Sequence, residues 1–340
     1  MTAPIVIWGA GAIGGTIGAH LVRAGHEVLF VDVVVEHVEA IASGRLSIEG
    51  PIASFTVGAS AVTPGSIAGQ HGLILLCVKA HHTAEATRQL APHLAPDGAL
   101  VSCQNGLNPV EIAGIVGRER TIGAFVNFSA DWLEPGRIIY GARSNLVLGE
   151  LDGERTERVE AIGRILRDFE PDTDVSEDVL AILWGKTGYA TLLAASALTN
   201  DTMVEFIGDP RMQPALTGLA REVLLTAVAE GVTPRGFQGY DPAAFLSGDP
   251  HAVAASIEAN LVFKRRSAKK HSGYHRDLAV RRRPTDIGAQ LAPVRAIARR
   301  HGISTPLLDQ LVDLVRAIET GQRAIGRELA DELASAAAQR

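Results

Sequence analysis

Residues 5–32 read IVIWGAGAIGGTIGAHLVRAGHEVLFVD. The apolar run 5–8 predicts a short strand. Glycines follow, then 13–24 has the spacing of a helix, and Gly25 stops it, as glycine commonly does just past a helix C-terminus. Residues 28–31 predict a second strand. Strand, turn, helix and strand within about 28 residues make a parallel crossover unit. Gly9, Gly11 and Gly14 form G-x-G-x-x-G at its turn. The first glycine allows the tight turn, the second lets backbone approach a pyrophosphate, and the third lets helix and strand pack closely. The phosphates would sit at the helix N-terminus, over Gly11, Ala12, Ile13 and Gly14, where N–H groups lacking an intrahelical acceptor and the macrodipole favour negative charge. Asp32 ends the second strand, eighteen residues after Gly14, and Val33-Val34-Val35-Glu36 follows with no arginine. A carboxylate there accepts hydrogen bonds from an adenosine ribose and repels a 2′-phosphate, so NAD is expected over NADP.

Working outward, 73–78 is a continuous apolar run, as a strand buried on both faces requires. Residues 83–94 predict a helix and 99–103 another strand. This alternation implies an α/β fold, an N-terminal doubly wound Rossmann-type domain. Shorter strand-like pieces in 121–148, around Pro135-Gly136, are expected to complete its sheet with antiparallel strands. Beyond about residue 150 helical spacing takes over, at 154–169, 179–197, 212–229, 252–266, 289–301 and 306–320. The stretch 231–250 reads as a loop or short irregular lobe. Two domains are expected, 1–172 dinucleotide-binding and 173–340 all-helical, a division that suits 340 residues.

The net charge of −6 argues against general affinity for nucleic acid or membranes. Cys77 and Cys103 give no framework of paired bridges and favour a reducing compartment. No basic leader precedes the glycine-broken first run, and no uninterrupted apolar stretch reaches the roughly 18 residues of a membrane helix. A cytoplasmic location is expected.

Lys79 and Asn105 follow the third and fourth apolar strands, in Val78-Lys79-Ala80 and Cys103-Gln104-Asn105-Gly106. Ligands of such sheets bind at the carboxyl ends of strands. Each residue is thus either a ligand contact or, in the plainer reading, a surface lysine and an ordinary turn asparagine. Lys186 is nearly the sole charge in VLAILWGKTGYATLLAASALTND. On an apolar helix a charge is costly unless it faces a cleft or a partner, and desolvation would lower its pKa toward that of a proton donor near neutrality. The alternative is a lysine that lays its stem on the core and keeps its ammonium in water. Residues 264–283 hold nine lysines and arginines against one acid, Asp277, with Ser272 inside the run and Asp286 just past it. That segment is either a solvated face or the rim of an anion site. His271 and His275 have a spacing that metals use, but no third ligand accompanies them, and no metal is expected.

Together these segments resemble the ketopantoate reductase (2-dehydropantoate 2-reductase) family. GAGAIG resembles its opening turn, LCVKAHHT its strand-end lysine segment and SCQNGL its N-G motif. LWGKTGY resembles its catalytic-lysine segment, HSGYHRDLAVRRRPTD its serine-to-acid segment and RRHGISTPLLDQL its closing helix pair. The resemblance implies hydride transfer between a nicotinamide dinucleotide and a 2-oxo or 2-hydroxy acid. By position, Lys186 would be the general acid, Asn105 and Lys79 would hold cofactor and reacting carbonyl, and Ser272 would bind the substrate. Asp286 would stand where the family usually has glutamate. A homodimer is the oligomer considered.

Three departures matter. Ala190 and Ala194 occupy positions where the family commonly has asparagines that line the substrate pocket, which implies fewer polar partners there. The spacing from Asp277 to Asp286 is one residue longer than usual. Asp32 points to NAD where many members use NADPH. The expected substrate is therefore a 2-oxo acid other than ketopantoate. The alternatives are a genuine 2-dehydropantoate 2-reductase, an opine-type dehydrogenase and a non-catalytic dinucleotide-binding protein.

Overall fold

A computed structural model of the chain describes residues 4–266 and 269–339. Ser267 and Ala268, inside the basic run, lie outside the described residues. The chain divides into two compact units, 1–179 and 180–340.

The first unit is built on an eight-stranded sheet. Its strands are β1 (Ile5–Trp8), β2 (Val28–Val31), β5 (Ser60–Val62), β6 (His71–Leu76), β7 (Leu94–Ser102), β8 (Thr121–Val126), β11 (Leu146–Glu150) and β12 (Thr173–Val175), in the spatial order β12-β11-β8-β7-β6-β1-β2-β5. All neighbours pair in parallel except β8 with β11. The alternation within β1 explains its apolar run: Ile5 and Ile7 enter one core, Val6 and Trp8 the other. β1 lies between β2 and β6, so the chain leaves it first to one side and later to the other. This is the switch point at which an open α/β sheet parts its carboxyl-end turns and leaves a crevice.

Helices α1 (Ala12–Arg23), α2 (Val35–Ala42), α3 (Thr83–Leu90), α4 (Asn108–Val116) and α5 (Glu157–Arg167) connect these strands. A second sheet, absent from the sequence reading, runs β4-β3-β10-β9 through β3 (Leu46–Glu49), β4 (Phe55–Val57), β9 (Ser129–Glu134) and β10 (Arg137–Ala142). Only 121–126 and 146–150 of the stretch 121–148 join the main sheet. The hairpin between them pairs with β3 instead. The second sheet packs on α1, whose residues Gly14 to Leu21 are all buried. A Cβ on Gly15 would stand 2.3 Å from Ile138, and one on Gly18 2.4 Å from Phe30, so small residues on both sides let the helix sit between two sheets.

The expected boundary at 172/173 moves to 179/180. Thr173–Val175 has too few residues to show a strand period, yet it pairs with β11 and belongs to the first sheet.

Among the described residues the second unit is helical, apart from one bridge between Phe237 and Tyr240. It comprises α6 (Val179–Ala195), α7 (Met203–Ile207), α8 (Gln213–Ala229), α9 (Pro242–Ser247), α10 (Pro250–Arg265), the single turn α11 (Gly273–His275), α12 (Ile287–Arg300), α13 (Pro306–Glu319) and α14 (Arg327–Ala338). The sequence reading missed α7, α9 and α14. Residues 179–198, though interrupted by Lys186, are long and apolar enough to cross a membrane by length and composition, but 72% of that window is buried in the protein, as befits a core helix.

Candidate active site

The turn after β1 has the geometry its glycines predict. Gly9 has φ +95°, a conformation that disfavours side chains, and a Cβ there would meet Val78 N at 2.9 Å. A Cβ on Gly14 would fall 2.0 Å from Gly9 O, which is impossible without moving backbone. A Cβ on Gly11 would meet nothing within 4 Å, so the space over the middle glycine is open. Gly11 is also the N-cap of α1 and supplies no side-chain cap. Ala12, Ile13 and Gly14 thus begin a helix whose first N–H groups have no intrahelical acceptor. An uncapped N-terminus under open space fits a pyrophosphate.

Two side chains hold this turn. Asp32 accepts the Ala10 N–H on one carboxylate oxygen at 2.7 Å and the Val34 N–H on the other at 3.0 Å. Each oxygen keeps a further lone pair for a ribose hydroxyl. Val33 is 76% exposed and Val35 51%, so the residues that follow Asp32 present apolar surface. His37, buried on α2, accepts the Gly136 N–H at Nδ1 (2.9 Å). Its proton therefore sits on Nε2, which donates to Ala10 O at 2.8 Å. The sequence reading missed His37, for which only its position on the first helix after Asp32 was a signal.

Lys79 follows β6 and is exposed. Asn105 follows β7, exposed, just before Gly106 with φ +89°. Both thus emerge at the carboxyl edge next to β1. Between them runs a buried polar set that the sequence reading did not single out: Thr83, Ser102, Gln104 and Asn108. The thiols Cys77 and Cys103 lie at the ends of the same two strands and are free.

In the second unit, Lys186 stands at the middle of α6 between Gly185 and Gly188. A Cβ on Gly185 would lie 1.9 Å from Arg235 O, and one on Gly188 2.9 Å from the Tyr240 hydroxyl. The Arg235 N–H donates to Ala181 O at 3.0 Å. These two glycines let the 235–240 segment lie directly on the lysine's helix. Tyr189, one turn on, packs against Phe237 and Tyr240 at 5.3 Å between ring centroids in both cases. So the stretch read as a loop is a lid of backbone and aromatic rings on α6. Lys186 retains some exposure, but the surrounding protein strips its water, and burial draws its pKa down from 10.5 to about 7.

Ala190 is half-buried and Ala194 is 2% exposed. Ser272 is buried, and its hydroxyl accepts the His275 N–H at 3.2 Å as N-cap of α11. Asp286, also buried, precedes α12, and its carboxylate helps push the Tyr274 hydroxyl pKa upward, after burial itself. The segment between them contains a π-helical turn, Arg276–Val280, closed by the Arg281 N–H on Arg276 O. That turn lies between Ser272 and Asp286, in the segment whose spacing the sequence reading found one residue longer than usual.

The basic run is no single cationic rim. Arg281 and Arg283 both bind the buried Asp277 carboxylate at 2.9 Å, Arg265 pairs with Glu258, and Lys264 lies 5.1 Å from the Tyr189 ring centroid. His271 and His275 stack ring on ring at 4.4 Å, and among the described residues no cluster of three metal-ligating side chains occurs.

The family profile described as ketopantoate reductase PanE/ApbA matches residues 5–153, and that of the PanE/ApbA C terminal matches 178–319. A 2-dehydropantoate 2-reductase of Mesorhizobium japonicum is 29% identical over 93% of this chain and 98% of its own. One from Halobacterium salinarum is 26% identical over 92% and 97%. Among solved structures, a PanE/ApbA family ketopantoate reductase from Ralstonia eutropha superposes with a TM-score of 0.77 at 26% identity, covering 94% of this chain and 99% of that one. A D-mandelate dehydrogenase solved with NADH and anilino(oxo)acetate gives a TM-score of 0.79 at 20% identity, with the same coverage, a likeness of fold.

Proposed function

Because the chain belongs to the ketopantoate reductase family, an oxidoreductase family acting on oxo and hydroxy acids, we propose that it is an NAD(H)-linked 2-oxo acid reductase whose proton donor is Lys186. A reduced nicotinamide dinucleotide held at the Gly9–Gly14 turn and Asp32 would supply the hydride for the carbonyl carbon of the 2-oxo acid. Lys186 donates its Nζ proton to the carbonyl oxygen as the C=O π bond breaks, leaving a 2-hydroxy acid and a neutral amine that regains its proton from water. Asn105 and Lys79 hold the cofactor and the reacting carbonyl. Ser272 and Asp286 act on the substrate, the acid through its own carboxylate and the serine through its hydroxyl hydrogen, since its oxygen already accepts from the His275 N–H.

The observation that carries this reading is Lys186 itself: one ammonium on an apolar core helix, with glycines at 185 and 188 that keep its turn closely covered. A lysine near pKa 7 is poised to give a proton at neutral pH. A purely structural lysine has no use for that desolvation.

The substrate class follows from Ala190 and Ala194. Alanines at 190 and 194 gain little from a substrate hydroxyl, whereas amides there would discriminate strongly for one. An apolar or aromatic 2-oxo acid fits better than hydroxyl-bearing ketopantoate, and the mandelate dehydrogenase fold makes an aryl 2-oxo acid the first compound to try. The names of the sequence relatives favour a second reading, reduction of ketopantoate itself. A spectrophotometric screen of 2-oxo acids with NADH and NADPH side by side separates the two. Phenylglyoxylate or a branched aliphatic 2-oxo acid with NADH should head the panel. Ketopantoate as the best substrate would overturn the pocket argument, and an amine requirement would indicate opine-type chemistry.

A further inference from the structure

Lys79 and Asn105 leave neighbouring parallel strands, and one buried circuit of hydrogen bonds links the turns that carry them. It starts at the peptide bond before Lys79, where Gln104 Nε2 donates to Val78 O at 3.0 Å. The same amide nitrogen donates to Thr83 Oγ1 at 2.8 Å, and the Ser102 hydroxyl donates to Gln104 Oε1 at 3.2 Å. Thr83 Oγ1 donates in turn to Asn108 Oδ1 at 2.9 Å, and Asn108 Nδ2 donates to the backbone carbonyl of Asn105. The sense of every bond is forced. A threonine hydroxyl has one proton and gives it to Asn108, so it must accept from Gln104. Both amides are thereby oriented, with their oxygens accepting and their nitrogens donating.

Ser102 and Thr83 are 0% exposed, Asn108 2% and Gln104 5%. Four polar side chains at that depth are costly unless each is satisfied, and satisfied networks lock one geometry. The circuit ends at the two peptide units that set the direction of Lys79 and Asn105. The Asn105 turn also takes φ +89° at Gly106, which glycine adopts without strain and a residue with a Cβ does not.

We propose that Gln104 and Thr83 are positioning residues for the reaction, which act through Asn105 and Lys79 by fixing the turn after β6 against the turn after β7. The inference rests on the roles given to Asn105 and Lys79 above, and its test separates the two.

The test is a double-mutant cycle on the full-length protein, with phenylglyoxylate and NADH as probes. Thr83→Val keeps the shape and removes the central relay. It should lower kcat by tenfold or more, and Thr83→Ser should stay within about twofold of wild type. Asn105→Ala should impair turnover by itself, and Thr83→Val added to it should cost little more, because its effect runs through that residue. NADH affinity, read by fluorescence titration, reports on the folded site without turnover. A lower Tm with kcat unchanged would make the circuit merely structural and overturn the proposal, as would full additivity of the two substitutions. Unimpaired turnover in Asn105→Ala would overturn the role of Asn105 and the positioning claim with it. Should Thr83→Val not fold, Gln104→Met breaks the same circuit one link earlier, and the same outcomes decide.

Discussion

The nucleotide edge of the first unit and the lysine helix of the second both rest on closely spaced glycines, but they use them differently. At the edge, Gly9, Gly11 and Gly14 serve the ligand: one makes the turn, one leaves open space, and one brings the helix onto its strand. Along α6, Gly185 and Gly188 serve the protein by admitting the 235–240 segment and desolvating the side chain proposed as proton donor. The first site is made of backbone groups whose charge is fixed. The second is made of one ionisable group whose charge is set by its surroundings. Damage to the first should therefore weaken binding, and damage to the second should slow turnover.

The largest expected effect tests that division. Lys186→Ala should lower turnover by about a hundredfold to ten-thousandfold, the usual span of general acid catalysis, with NADH affinity near wild type. Lys186→Arg should rescue poorly, because guanidinium does not release its proton near neutrality. Stability should move the other way. The folded pKa lies below that of the unfolded chain, so the charged lysine opposes folding, most strongly below about pH 7, and the penalty fades as pH rises from there toward 10.5. Lys186→Met should accordingly raise Tm, and more at pH 6 than at pH 9. Calorimetry at the two pH values checks this, and a Tm lowered at pH 6 would contradict it.

Next is Gly14→Ala. Its Cβ would overlap Gly9 O, so the turn must shift. NADH affinity should fall at least tenfold, with a loss of stability of about 1–3 kcal/mol from overpacking. If kcat at saturating NADH collapsed while Kd held, the contrast between the two regions would fail.

Asp32→Ala should have the smallest effect on turnover and act on cofactor choice instead. A ribose contact and repulsion of an added phosphate together give discrimination on the order of 2 kcal/mol, roughly thirtyfold. Asp32 also ties Ala10 and Val34, so affinity for both cofactors should drop while the NADH preference narrows. Equal binding of NADPH and NADH by the wild-type protein would remove the preference altogether.

The two regions also differ in how far the sequence reveals them. The nucleotide turn was legible because its signals are local: strand period, glycine spacing and the acid at the next strand end all lie within 28 residues. Lys186 was legible as a misfit on an apolar helix. What surrounds it was not, because the contacts of Gly185 and Gly188 come from residues about fifty positions away. The second sheet escaped for a related reason. β4 is only partly buried and β9 half-buried or exposed throughout, so they lack the continuous apolar run of the main sheet, and β3 pairs with β10 across some ninety residues. His37 and the circuit through Gln104 and Thr83 depend on partners far along the chain. The π-turn at Arg276–Val280 became visible only in three dimensions, because nothing in the local residue pattern marks it.

The most direct measurement is the pH dependence of hydride transfer under single-turnover conditions, in both directions. Reduction needs Lys186 protonated and oxidation needs it neutral. With its pKa near 7, kcat/KM for reduction should be level below pH 7 and fall about tenfold per unit above it. The oxidative rate should rise over the same range, and both dependences should vanish in Lys186→Ala. A reduction profile that stays level from pH 6 to pH 9 with chemistry rate-limiting, or one whose break survives in Lys186→Ala, would assign the proton to another group.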